Sequence, residues 1–170
     1  MDSIHIVNDF LNKATPNFFI GEFWATKYGG YIDFDMKKCY ADAVQFIRDY
    51  YCKKYNSDVP FEVTSVIRPN DADWSPHKTG DAVDSIPLVN VSAIMHDVAM
   101  EFKNWMNSEL VKGLLSTGVN VLLIEAGCLH FANRDIKLNS HKATGYEYDL
   151  FYIGEWINDG SAYGKNICYA

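Results

Sequence analysis

The stretch SVIRPNDADWSPHKTGDAVDSIP, residues 65 to 87, sets His77 and Asp84 seven positions apart across Gly80. Imidazole and carboxylate are side chains that bind metal ions and carry protons. Ligands on a helix would stand three or four positions apart, as in H-E-x-x-H. A spacing of seven across a glycine suits a different shape, in which the chain turns back and offers both groups from two sides of a turn. Gly80 can take backbone angles closed to other residues, and Ala82 is small enough to lie beneath a bound ion. A third ligand has to come from elsewhere, and His130 in CLHFAN, on a strand that could run beside DAVD, is the best candidate. Two histidines and one carboxylate leave a fourth position for water, which marks a catalytic rather than a structural zinc site. Such an ion lowers the pKa of its water towards ~7 and polarises a carbonyl, the two requirements of amide hydrolysis.

Something must hold these groups. MKKCYADAVQFIRDYYCKKYNSD carries Val44, Ile47, Tyr51 and Tyr55 at helical spacing, with Asn56 and Ser57 to end it. FEVTSVI is short, β-branched and bounded by Pro60 and Pro69, so it reads as a strand. From Asn70 onward neither period is sustained, and a loop is expected that closes into a short extended piece at DAVDSI. Residues 91 to 118 read as one further helix, with Ile94, Val98, Phe102, Trp105 and Met106 on its core stripe, Gly118 at its end and Gly113 as an interruption. VNVLLIEAGCLHFAN gives two strand-like runs about Ala126-Gly127, a hairpin. NFFIGEFWATKYGG is an aromatic opening segment that ends in a glycine turn, and the aromatic tail after residue 135 has no assigned structure. The order predicts an α+β fold, a small antiparallel sheet with flanking helices.

Composition narrows the function. The 170 residues suit a single domain, and 48% apolar with 22% charged residues argue against disorder. The net charge of -7, with thinly spread Lys and Arg, argues against a nucleic-acid or anionic-membrane partner. No apolar run approaches the ~20 residues of a membrane span. The start MDSIHIVNDFLNKATPNFF lacks the basic and apolar regions of a secretory signal, so synthesis as a soluble cytoplasmic product is expected. Cys39, Cys52, Cys128 and Cys168 form no C-x-x-C pair and read as reduced thiols.

SPHKTGDAVD matches the S-x-H-x-x-G-x-A-x-D signature of the zinc D-Ala-D-Ala peptidases, which share a fold with the hedgehog signalling domain, and the chain resembles that family. FEVTSVIRP is similar to the strand that precedes the signature and ends in Ser-x-x-Arg. NFFIGEFWA looks like the Phe-x-x-x-Glu-Phe opening of the phage and bacterial wall-hydrolase branch. CLHFANR is like its closing segment, in which an arginine, here Arg134, follows the histidine by four positions. The resemblance covers roughly residues 17 to 135, leaving 136 to 170 as an extension of the same domain. It implies zinc bound by His77, Asp84 and His130, and cleavage of a peptide bond in peptidoglycan stems or cross-links. It also implies substrate binding by Arg68, with Ser75 ordering the loop or hydrogen-bonding near the site. Many members carry an acidic base three residues before the last histidine, where this chain has Gly127. Some place it where Glu125 stands, and Glu125 is the candidate catalytic base here. In an unbroken strand it would face away from His130, and a turn at Ala126-Gly127 could bring it back.

Plainer readings stand beside these. His77 could be a surface-loop histidine, Asp84 a helix cap, His130 a half-buried strand residue, Arg68 a surface ion pair and Glu125 an ordinary turn acid. His5, His96 and His141 fit no ligand spacing, with His96 on the polar side of its helix. Two functions follow: a wall peptidase released at phage lysis or carried on a particle, and a structural or binding module of the same fold within a virion. The absent acid at position 127 and the aromatic tail favour the second.

Overall fold

The apolar stripe of residues 38 to 55 forms the longest helix, against which the rest of the core is laid. A computed structural model describes residues 2–24, 32–71, 73, 75–103, 107–119, 121–125, 128–133, 151–153 and 167–169. Their order is β1 (Ser3–Ile6), α1 (Ile20–Trp24), β2 (Phe34–Lys37), α2 (Lys38–Tyr55), β3 (Phe61–Ser65), a 3-10 turn (Pro76–Thr79) and β4 (Ala82–Pro87). Then come α3 (Val91–Lys103), α4 (Glu109–Ser116), β5 (Val121–Glu125), β6 (Cys128–Ala132), β7 (Phe151–Ile153) and β8 (Ile167–Tyr169). The fold is α+β. A four-stranded antiparallel sheet runs in the order β3-β4-β6-β5, and β1 with β2 and β7 with β8 form two-stranded ribbons. β4 and β6 are therefore the inner strands of the main sheet.

Val44, Ile47 and Tyr51 of α2 are fully buried, while Tyr55 lies at the exposed edge of the stripe. Asn56 ends the helix in the left-handed region, at φ 50°, and its N–H caps the last carbonyls. Period-two alternation divides the main sheet into two faces. Val83, Leu129, Phe131, Leu122 and Ile124 join Ile94, Val98, Phe102, Leu110 and the α2 stripe in one buried cluster. Asp84 and His130 alternate with these residues and so belong to the opposite face. At the opening segment Phe18 and Phe23 are buried edge to face, and Glu22 accepts the Phe19 N–H at 2.6 Å, which fixes α1.

One expectation needs correction. The single helix over 91 to 118 is two helices, α3 and α4, and Gly113 does not interrupt it. Ser108 starts α4, its Oγ accepting the Val111 N–H at 3.1 Å, so the orphan donors of a new N-terminus are met there. Gly113 sits inside α4 because α2 crosses it closely: a Cβ there would come within 1.9 Å of the Phe46 ring. Trp105, Met106, the Gly29-Gly30 turn and most of 136 to 170 lie outside the described residues. β1, β2 and α1 were not anticipated. Among the described residues no helix is long and apolar enough to cross a membrane.

Candidate metal centre

Three local devices bring the site together. The first is register: Asp84 stands directly opposite His130 between β4 and β6, so both project from the same face at close Cβ spacing. The second is a bulge in β3 between Val63 and Ser65, which sets Ser65 opposite Asp84 on its other side. The third is the doubled-back loop that carries His77. The Arg68 N–H donates to the His77 carbonyl at 2.7 Å, and the His77 ring Nδ1 lies 2.8 Å from the Val66 carbonyl. The 3-10 turn then ends at Gly80, whose φ of +75° is open to glycine, and a Cβ there would press on the Phe34 ring at 3.0 Å. Asp81 closes the loop by donating its N–H to Pro76 O at 2.8 Å. The loop is thus a turn across Gly80, as its sequence implied.

His77 Nε2, Asp84 Oδ1 and His130 Nδ1 converge: Nε2 lies 3.1 Å from both partners, and Oδ1 lies 2.7 Å from His130 Nδ1. All three residues are at most 5% exposed. A carbonyl can only accept, so His77 carries a proton on Nδ1, and its Nε2 faces the other two groups. Metal-binding histidines are commonly oriented in this way, by donating the remote N–H to a backbone carbonyl. A cation can take the place of protons between the three atoms, which lie within 4.8 Å of one another, and the group could hold a metal ion. Their separations are a few tenths of an ångström shorter than the ~3.3 Å edge of a tetrahedron with bonds of ~2.0–2.1 Å, so small movements suffice. Burial opposes ionisation of Asp84, but hydrogen bonds from His130 and His77 and the charge of both rings hold its carboxyl below the usual carboxylate range.

Arg68 stands at the rim. Its Nη2 is 3.5 Å from Asp84 Oδ2 and its Nε 3.2 Å from Asp71 Oδ2. Both are charge contacts, and among the described residues Nε–H has no aligned acceptor. Ser75 is buried and donates its hydroxyl to Asp71 Oδ2 at 2.8 Å, so it orders the loop. Glu125 ends β5, and the register pairs it with Cys128, two positions from His130 on β6. The Glu125 side chain and the turn expected at Ala126-Gly127 lie outside the described residues. Gly127, Trp74, Arg134 and His141 lie outside the described residues. His5 is exposed and pairs with Asp35, and His96 is exposed on α3.

Sequence reasoning missed Asp71. Its signal was present in Arg68-Pro69-Asn70-Asp71, where proline in second place favours a tight turn; the Asp71 N–H indeed donates to Arg68 O at 3.0 Å. Comparison with protein-family models, curated proteins and solved structures finds nothing that matches this chain.

Proposed function

We propose that the chain is a zinc-dependent peptidase that cleaves peptide bonds in peptidoglycan, with the fold of the D-Ala-D-Ala peptidases and the hedgehog domain. The observation that carries this reading is the convergence of His77, Asp84 and His130 on one point from a loop and two strands, with the His77 remote nitrogen held by the Val66 carbonyl. Two imidazoles and a carboxylate form a donor set suited to zinc with one position open to a reactant. When bound, zinc would supply Lewis acidity, polarising a carbonyl and acidifying water. The protein's own groups do the rest. Arg68 presents a planar, permanently charged donor fork at the rim to a substrate carboxylate or carbonyl. Glu125 takes the proton of the attacking water and returns it to the departing amine as the C–N bond breaks.

The net charge of -7 gives no attraction to anionic wall polymers, so targeting falls to the cleft or to assembly on a phage particle. A second reading, a catalytically silent module of this fold in a virion, is favoured by Gly127 at the family's usual acid position. Metal analysis of purified protein, with a digest of peptidoglycan fragments, separates the two. About one zinc per chain with turnover supports the peptidase, and Glu125→Gln should then cut turnover by ~10²–10⁴ without changing zinc content. Zinc with no turnover, and no effect of Glu125→Gln, leaves the silent module. No zinc at all removes the peptidase.

A further inference from the structure

Arg68 raises a problem of charge. Its guanidinium is 3.5 Å from Asp84 Oδ2, whose other oxygen belongs to the His77–His130 group. A cation beside a metal ligand repels the ion and competes for the carboxylate that must hold it. The side chain is only 21% exposed, so water screens that repulsion incompletely. Asp71 lies on the far side of the same guanidinium, 3.2 Å from Nε. Two features hold it there: the tight turn from Arg68 to Asp71, and the buried Ser75 hydroxyl, which donates to the oxygen that faces Arg68. Arg68 therefore sits between two carboxylates, one on the metal group and one with no role in it.

We propose that Asp71 is a positioning residue: its carboxylate neutralises Arg68 and draws it outward, leaving the Asp84 charge to the metal while the arginine stays at the rim for substrate. This rests on the metal reading above, but the test needs no substrate. Zinc affinity is measured by competition with a chromophoric chelator for the full chain and for Asp71→Asn, Asp71→Glu, Arg68→Gln and the Arg68→Gln/Asp71→Asn double variant. Asp71→Asn should weaken zinc binding by about ten-fold, the low end for an outer-shell partner. Asp71→Glu should recover most of the loss, and Arg68→Gln should bind zinc more tightly than the unaltered chain.

The decisive comparison is the double variant. If Asp71 acts through the arginine, its removal costs little once Arg68 is gone. If it merely braces the loop, the loss is equal in both backgrounds, and that result would overturn the proposal, as would unchanged affinity in Asp71→Asn. Should Asp71→Asn fold poorly, Arg68→Gln alone keeps the proposal open to refutation: zinc binding no tighter than in the unaltered chain would overturn it. An unaltered chain that takes up no zinc overturns the metal reading itself, a result distinct from any of these.

Discussion

Adding zinc to metal-free protein should raise its melting temperature, and His77→Ala should erase the rise. The donors stand 7, 46 and 53 residues apart along the chain, so an ion gripped by all three meets its ligands together only in the folded state. Preferential binding to the folded chain stabilises it by about 4.1 kcal/mol when free zinc is a thousand times the dissociation constant. For a domain of this length each kcal/mol moves the midpoint by ~2–4 °C, so the rise should be roughly 8–16 °C. His77 is 1% exposed, and its removal will also lower the melting point of the metal-free form by leaving a cavity. The quantity to read is therefore the difference between zinc-loaded and chelator-treated samples of each variant. His5→Ala, at an exposed histidine far from the ligand set in the chain, should keep the full difference. Scanning calorimetry supplies the numbers. A zinc-induced rise that survives in His77→Ala, or none in the unaltered chain, would refute the claim that these residues form one metal centre.

Gly80→Ala should cost about 1–2 kcal/mol from the left-handed backbone alone, with a further penalty at Phe34, and should weaken zinc binding by displacing His77; denaturant melts and zinc titrations read both. Asp84 has a lowered carboxyl pKa in the folded state, so its charge contributes stability that is complete above the ordinary value of 3.8 and lost as pH falls through the depressed one. The stability gap between metal-free unaltered protein and Asp84→Asn should accordingly be level near neutrality and close only in strong acid; a gap already closing near pH 6 would contradict the buried, hydrogen-bonded carboxylate. Ser108→Ala should remove the α4 cap at a cost of ~1 kcal/mol, with a lower melting point and intact zinc uptake.

Much of the site could be read from residue types because the determinants are local. Gly80 ends its turn in the conformation its sequence implied, and β6 runs beside β4 with His130 opposite Asp84, as a strand beside DAVD should. The helix at 38 to 55 follows from its apolar period. What escaped was set by distant partners or by competing local signals. β1 and β2 are four residues each, too short for alternation to stand out, and each is a strand because the other pairs with it. The break between α3 and α4 was hidden by apolar periodicity on both sides, although Asn107-Ser108-Glu109 is an ordinary helix start. The β3 bulge and the approach of Asp71 to Arg68 depend on how strand and turn sit in space, which spacing alone does not report.

Two of the three donors belong to the inner strands of the main sheet, each hydrogen-bonded on both edges, and the third belongs to a short turn. Parting β4 from β6 would dismantle the centre of the sheet, whereas lifting the turn gives up the contacts of His77 with residues 66 and 68 and those of Asp81 with Lys37, Tyr40 and Asn133. An ion entering or leaving would take that second route. The exchange rate of the centre is then a property of residues 66 to 81, and stiffening that segment should lengthen the residence time of a captured ion while the strands beneath stay as they are.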